Sequence, residues 1–378
     1  MRPTQAIIDL SALRHNLDIV RTIASGIPIC AVVKAEAYGH GLLRISQELQ
    51  SLGIDCLGVG FLEEAIVLRE NGIKTPILVL GGLVDEQVDD YLKWDVEATI
   101  SSVWKARVMQ TAAENAGVVA PVHIKIDTGL GRVGQQWDSV DRMIMGIKDL
   151  PNLFVKGIYT HFASSDSEDP TLTRQQIERF KYALEMFRSQ GINPPLTHTA
   201  GSGALLQFAE ETLFSMVRPG LMLYGYAPSY HLQNKRLLQP VMTLRSSVVY
   251  VKKPHKGVTI GYGATWETDG ERWIATIPIG YGDGFPKRAG EKGVKVLVNN
   301  KLCPIVGRVA MDQIMVDAGN EVYLNREAIL FGKSDSGELS LWELCNAIDA
   351  IPYEILCGIT SRVPRIYVDK TKTKRETK

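Results

Sequence analysis

Ala31-Val32-Val33-Lys34-Ala35-Glu36-Ala37-Tyr38-Gly39-His40-Gly41 places a lysine at the end of an apolar, β-branched run, just before a glycine-punctuated turn into a helix. The run Ile29–Lys34 reads as a buried strand. Leu42, Ile45, Leu49 and Leu52 then mark one face of a helix that Gly53 closes. A lysine at a strand tip is costly to bury and easily lowered in pKa, so it is a candidate for chemistry.

Working outward, the same strand-then-helix texture repeats. Strands are expected at Cys56–Phe61, Pro76–Leu80, Glu97–Ile100, Val122–Asp127, Val155–Phe162, Leu196–Ala200 and Met216–Tyr224. Helical patterns fall between them, as in Leu62–Arg69 before Asn71-Gly72 and in Thr173–Gln190 before Gly191. Strand–helix units repeated in this way predict an N-terminal (β/α)8 barrel, with an open doubly wound sheet as the alternative. After about Asn234 the texture turns to period-2 runs: Val241–Lys252, Trp273–Ile279, Val294–Val298, Cys303–Val309, Ile314–Val316 and Ala328–Phe331. One helix is expected there, opened by Ser340-Leu341-Trp342-Glu343. The fold class is therefore α/β plus all-β. A barrel occupies residues 1–233, with residues 1–9 available to pack on the other part, and a mainly β domain occupies 234–378.

The 378 residues exceed one ordinary domain, and 45% hydrophobic against 22% charged content fits a chain with a full core. Lysine plus arginine and aspartate plus glutamate each number 42, so no bulk charge favours nucleic acid or an anionic membrane. No apolar stretch reaches the roughly 18 residues of a membrane span, and no secretory signal is apparent, so a cytoplasmic location is expected. The 5 cysteines show no C-x-x-C spacing, which argues against a disulfide framework or a zinc site. The basic tail Asp369–Lys378 is expected to be a solvated end.

Barrel enzymes work at the C-terminal ends of their strands. Lys34, Lys125 with Asp127, and His161 end their strands, Gly201-Ser202-Gly203 follows the seventh, and Arg218-Pro219-Gly220 lies inside the eighth. Each alone also suits a structural role. Together they set a lysine opposite a Gly/Ser turn after the seventh strand, where barrels commonly bind phosphate. That pairing suggests a phosphorylated carbonyl cofactor, such as pyridoxal 5'-phosphate, held by Lys34 as a Schiff base. Gly129-Leu130-Gly131-Arg132-Val133-Gly134 matches a dinucleotide fingerprint, but it sits in the fifth unit and no acidic residue ends the next strand.

The stretch around Lys34 closely resembles the cofactor-lysine signature of bacterial alanine racemases. The resemblance runs through Lys125–Arg132, Thr160–Ala163, Arg218–Gly220, Ile260–Gly263, Gly280–Gly284, Gly307–Gln313 and Pro352–Glu354. It implies a pyridoxal phosphate-dependent homodimer that interconverts L- and D-alanine for peptidoglycan, each site being completed by the partner's β domain. By that resemblance Lys34 and, from the other subunit, Tyr262 are the two acid/base residues. Tyr38, Ser202, Gly220 and Tyr353 would hold the phosphate, and Arg218 the pyridine nitrogen with support from His161. Arg132 and the partner's Met311 would meet the substrate carboxylate, Tyr281 would line the partner-side entry, and Lys125 matches a lysine that is often carbamylated. Two bases on opposite faces suit racemisation, because a single base would tend to restore the original hand. Glu36, Gly201 and Ala310 stand where aspartate, asparagine and cysteine are common in the family. The last two make a serine or broad-specificity racemase the alternative reading. A related decarboxylase of basic amino acids and a barrel-only pyridoxal phosphate-binding protein are rivals. The cysteine context argues against the first, and the long segment after Asn234 against the second.

Overall fold

The structure, a computed structural model, describes residues 2–319 and 322–370. Barrel strands Cys30–Val32, Cys56–Val59 and Ile77–Val79 pair in parallel. Ala98–Ile100, Ala120–Asp127, Leu153–Tyr159 and Leu196–His198 form a second parallel set. Bridges at Leu78–Glu97 and Ile29–Val217 join the two sets into a closed ring. The eighth side is irregular: Ser215 and Met216 N–H donate to Thr197 O, and Cys30 N–H donates to Val217 O at 2.8 Å. An open doubly wound sheet is thereby excluded. The expected strand Met216–Tyr224 is corrected in its second half, where Leu221–Tyr224 forms a 3-10 turn that buries all four side chains.

Strand limits follow local chemistry. The first strand stops at Val32, two residues earlier than the sequence suggests, because Ala35–Tyr38 run through four positive φ angles between 51° and 56°. Lys34 therefore sits at the head of a left-handed turn. The helix Leu42–Ser51 buries Leu42, Ile45 and Leu49 and gives way to Gly53 at φ +70. Leu62–Glu70 and Thr171–Ser189 form the other two expected helices, within a few residues of the predicted limits.

Among the described residues the β domain holds a ten-stranded sheet and a separate two-stranded one. Gln5–Asp9 pairs antiparallel with Met242–Ser247 and parallel with Arg365–Val368, so the chain begins in this sheet before entering the barrel. Asp9 then caps the helix Leu10–Ala24 by accepting from Ser11 N at 2.9 Å. The sequence pattern misses the hairpin Thr259–Ile260/Trp266–Glu267, the strand Arg365–Val368 and a second helix, Pro352–Gly358. The expected helix does form, over Leu341–Ile348, with Ser340 Oγ accepting from Trp342 N. Of the basic tail, Asp369 pairs with Arg14 and Lys370 with Asp9, both at 2.8 Å, which corrects the solvated-end expectation there; residues 371–378 lie outside the described residues. No helix of the described residues is long and apolar enough to cross a membrane.

Candidate active site

The C-terminal strand ends open into a cavity of about 840 Å³. Lys34, Tyr38, Lys125, Arg132, His161, Ser202, Arg218, Gly220 and Tyr353 all line it. At its centre the Arg218 guanidinium is buried and pinned by carbonyls. It donates to Thr160 O at 2.7 Å and Thr199 O at 3.0 Å, and it reaches His198 Nδ1 at 2.7 Å and His161 Nδ1 at 3.4 Å. No carboxylate is among these partners, and burial pushes Arg218 down to about 10. Burial also drives Lys125 well below its ordinary range, with Arg218 and Arg132 adding repulsion. The Lys125 amine lies 4.3 Å from the centre of the Tyr159 ring. His161 is likewise pushed well down, by burial and then by Lys125 and Arg218, and so is neutral.

Lys34 is lowered by burial first and by Arg132 second, against the attraction of Glu64. Glu64 is a site residue that the sequence reading missed. One of its oxygens accepts from Ala35 N at 2.6 Å and the other from Gly60 N at 2.7 Å, which ties the lysine turn to the second strand's end. Only its place in the first turn of a helix after a glycine hinted at this.

Opposite lies a polar cradle. Gly201 precedes the short helix Ser202–Gln207, and Ser202 Oγ accepts from Gly220 N at 3.0 Å and Met222 N at 3.3 Å. A Cβ on Gly220 would stand 2.4 Å from the Tyr38 hydroxyl, so only glycine lets that hydroxyl reach the backbone. The Tyr353 ring follows at 5.8 Å from that of Tyr38. Burial raises both phenols, which keeps them neutral donors. Tyr159 and His198, also missed, stack at 4.7 Å beneath Arg218.

The loop Gly129–Gly134 does not behave as a dinucleotide cradle. Its N–H groups at Gly129, Leu130 and Gly131 are taken by Asp127 Oδ1 at 2.9 to 3.2 Å. Gly134 is needed because a Cβ there would meet Asp127 N at 2.8 Å. The loop instead carries Arg132, exposed, to the cavity mouth. The structure also does not pair Asp127 with Lys125.

Three expected residues stand apart. Tyr262, Tyr281 and Met311 lie in the β domain, 72%, 43% and 52% exposed, and none lines the cavity. They form one surface. Tyr281 N–H donates to Ala310 O at 3.1 Å and Gly282 N–H to Met311 O at 2.9 Å, while the turn that bears Tyr262 packs on Gly307-Arg308.

Comparison with known proteins places this architecture. Residues 8–228 match the alanine racemase N-terminal domain and residues 241–367 the alanine racemase C-terminal domain. The chain is 39% identical over 373 residues to the alanine racemase of Clostridium tetani, covering 97% of this chain and 96% of that one. It is 40% identical over 372 residues to that of Halothermothrix orenii, covering 98% of each. Among solved structures, alanine racemase from Clostridium difficile 630 superposes with a TM-score of 0.91 at 35% identity, covering 98% of this chain and 96% of that one. The Bacillus anthracis enzyme with bound L-Ala-P also gives 0.91, at 34% identity, covering 97% and 95%. With both domains matched and this identity sustained along nearly its whole length, the chain belongs to the alanine racemase family.

Proposed function

We propose that the chain is a pyridoxal 5'-phosphate-dependent alanine racemase, an isomerase of the cytoplasm that supplies D-alanine for peptidoglycan and works as a homodimer. The observation that carries this reading is the sharing of one cavity by a lysine amine, a buried guanidinium without a carboxylate and a hydroxyl-and-amide cradle. These residues fit the cofactor. The Ser202, Gly220, Tyr38 and Tyr353 cradle, with a close approach only glycine permits, suits a phosphate. Arg218 is a fixed donor suited to a pyridine nitrogen, with neutral His161 beside it. When bound, the cofactor supplies an electron sink for the charge left at the substrate Cα once its proton is removed.

The remaining roles belong to the chain. Lys34 takes or returns the Cα proton on one face, and burial, with Arg132 beside it, lowers its pKa in the direction that suits a base. Tyr262 of a second copy serves the opposite face; its exposure and its distance from its own cavity support a site shared between protomers. Met311 and Tyr281 lie on the same surface and would arrive with it. Arg132 at the mouth would orient the substrate carboxylate. The lowered pKa of Lys125 favours the neutral amine that carbamylation by carbon dioxide requires.

The test is racemisation of alanine, serine and lysine by purified protein incubated with pyridoxal phosphate. A visible absorbance band, a borohydride adduct at Lys34 and fastest turnover of alanine are expected. Absence of the band or of turnover overturns the reading; serine ahead of alanine points to Gly201 and Ala310. Lys34→Ala and Tyr262→Phe should each cost at least about 100-fold in kcat, with opposite directional bias in deuterium wash-in.

A further inference from the structure

Below the cavity the barrel interior carries a file of polar side chains where branched aliphatics usually pack. Arg218 Nη1 meets His198 Nδ1 at 2.7 Å; His198 Nε2 meets His123 Nδ1 at 2.9 Å; His123 Nε2 meets Glu97 Oε2 at 2.9 Å. Lys156 Nζ closes the far end on Glu97 Oε1 at 2.5 Å. Both ends are fixed in sense. The guanidinium only donates and the carboxylate only accepts, so each imidazole must accept on Nδ1 and donate from Nε2.

The file is built rather than incidental. A Cβ on Gly157 would stand 2.2 Å from His123 Nδ1, so that strand leaves out a side chain where the ring lies. Tyr159 lies flat on His198 with planes 4° apart, and its hydroxyl is held 2.8 Å from Thr99 Oγ1. Glu97, His123 and His198 are all buried. Burial keeps both imidazoles neutral, whereas at Glu97 the hydrogen bonds from His123 and Lys156 outweigh burial and keep the carboxylate charged.

Building on the racemase reading, we propose that Glu97 is a positioning residue for the reaction: through His123 and His198 it fixes the direction of the hydrogen bonds and so holds Arg218 as an oriented donor at the cofactor ring. It touches neither substrate nor cofactor. An aliphatic residue at position 97 leaves His123 Nε2–H without an acceptor, and a change of tautomer there sets donor against donor toward Arg218. Glutamine retains an acceptor oxygen for His123, because part-exposed Lys156 can turn to water.

The experiment uses holoenzyme labelled with 15N-histidine. Two-bond 1H–15N spectra of the wild type should show His123 and His198 as Nε2–H tautomers. Glu97→Leu should lose that signature at His198, shift the visible cofactor band and lower kcat for alanine at least about tenfold, with KM within about twofold. Glu97→Gln should retain the tautomers, the band and most of kcat. If Glu97→Leu does not fold, His123→Leu interrupts the file with the Glu97–Lys156 pair intact and should shift band and kcat alike. An unchanged band and tautomer in the leucine variants, or damage by glutamine equal to that by leucine, overturns the proposal. Wild-type protein that does not racemise alanine defeats the racemase reading instead; wild-type turnover with silent variants defeats only the role of Glu97.

Discussion

At the scale of single residues, the site depends on side chains that are absent as much as on those present. Gly220 lets the Tyr38 hydroxyl approach the backbone beside Ser202, and a methyl there would stand 2.4 Å from that oxygen. Gly220→Ala should therefore weaken pyridoxal phosphate binding about tenfold or more, read as the titration midpoint of the visible band, and destabilise the apo-protein by about 1–3 kcal/mol, because the buried Tyr38 ring must shift. Equal cofactor affinity would remove Gly220 from the cradle. The lysine and the Gly/Ser turn were legible in the sequence because each sits at a predictable strand end, and Arg218 because it lies within the expected eighth strand. Glu64, Tyr159 and His198 were not, because the partners that bring them to the site lie far off in sequence: Ala35 is 29 positions from Glu64, Arg218 is 20 from His198 and Thr99 is 60 from Tyr159. Only packing brings those groups within hydrogen-bond reach.

Among elements, the turn Ala35–Tyr38 is the one that local preference gets wrong. Alanine, glutamate and tyrosine favour a right-handed helix, and each left-handed residue costs about 1 kcal/mol or more. The surroundings enforce the turn by satisfying its carbonyls. His40 Nδ1 lies 3.0 Å from Ala37 O and 2.9 Å from Tyr38 O, Arg365 Nε donates to Gly39 O, and the Tyr367 hydroxyl donates to His40 O. Arg365 and Tyr367 belong to the last strand of the β domain, so that domain holds the loop that carries Lys34. Exposed Ala35, at φ +53, is the place to relieve the strain. Ala35→Gly should stabilise the apo-protein by about 0.5–1 kcal/mol and Ala35→Val should destabilise it, in urea unfolding. The opposite order would show that the turn is not left-handed in solution.

For the whole molecule, buried titratable groups set the acid limb of stability. His40 is held down to about 4 by burial, and His123, His161 and His198 are lowered as well. Unfolded histidine binds its proton near about 6.5, so the stability these groups supply is present above that pH and is lost as pH falls toward their folded values. Unfolding free energy should thus decline from about pH 6.5 downward, by up to about 1.4 kcal/mol per pH unit for each histidine. His40→Gln should shallow the slope; a flat profile between pH 6.5 and 4 would contradict it. Asp283 acts lower. Its fully buried carboxylate pairs with Arg2 at 2.6 Å and accepts from Gly280 N at 3.1 Å, next to Tyr281. Asp283→Ala should cost about 1–3 kcal/mol, because it removes the carboxylate of Arg2 and leaves a buried N–H without an acceptor. The proposed shared site gives a further outcome: mixing the Lys34→Ala and Tyr262→Phe proteins should restore activity, since a mixed dimer would hold one intact site. No recovery after subunit exchange would mean that Tyr262 serves its own chain.

The sequence by itself determined the barrel, the β domain and the strand-end residues that face one another. Those follow from periodicity and from the fixed polarity of strand–helix units, which are local properties. Only the tertiary structure decided that Gln5–Asp9, expected to pack on the β domain, does so as a strand of its sheet, that Lys34 heads a left-handed turn, and that Arg218 is tied through two imidazoles to Glu97. It also set Tyr262, Tyr281 and Met311 on an outer face, outside the cavity of their own chain. Each of these rests on contacts between distant segments, where burial and the need to satisfy polar groups override what neighbouring residues prefer.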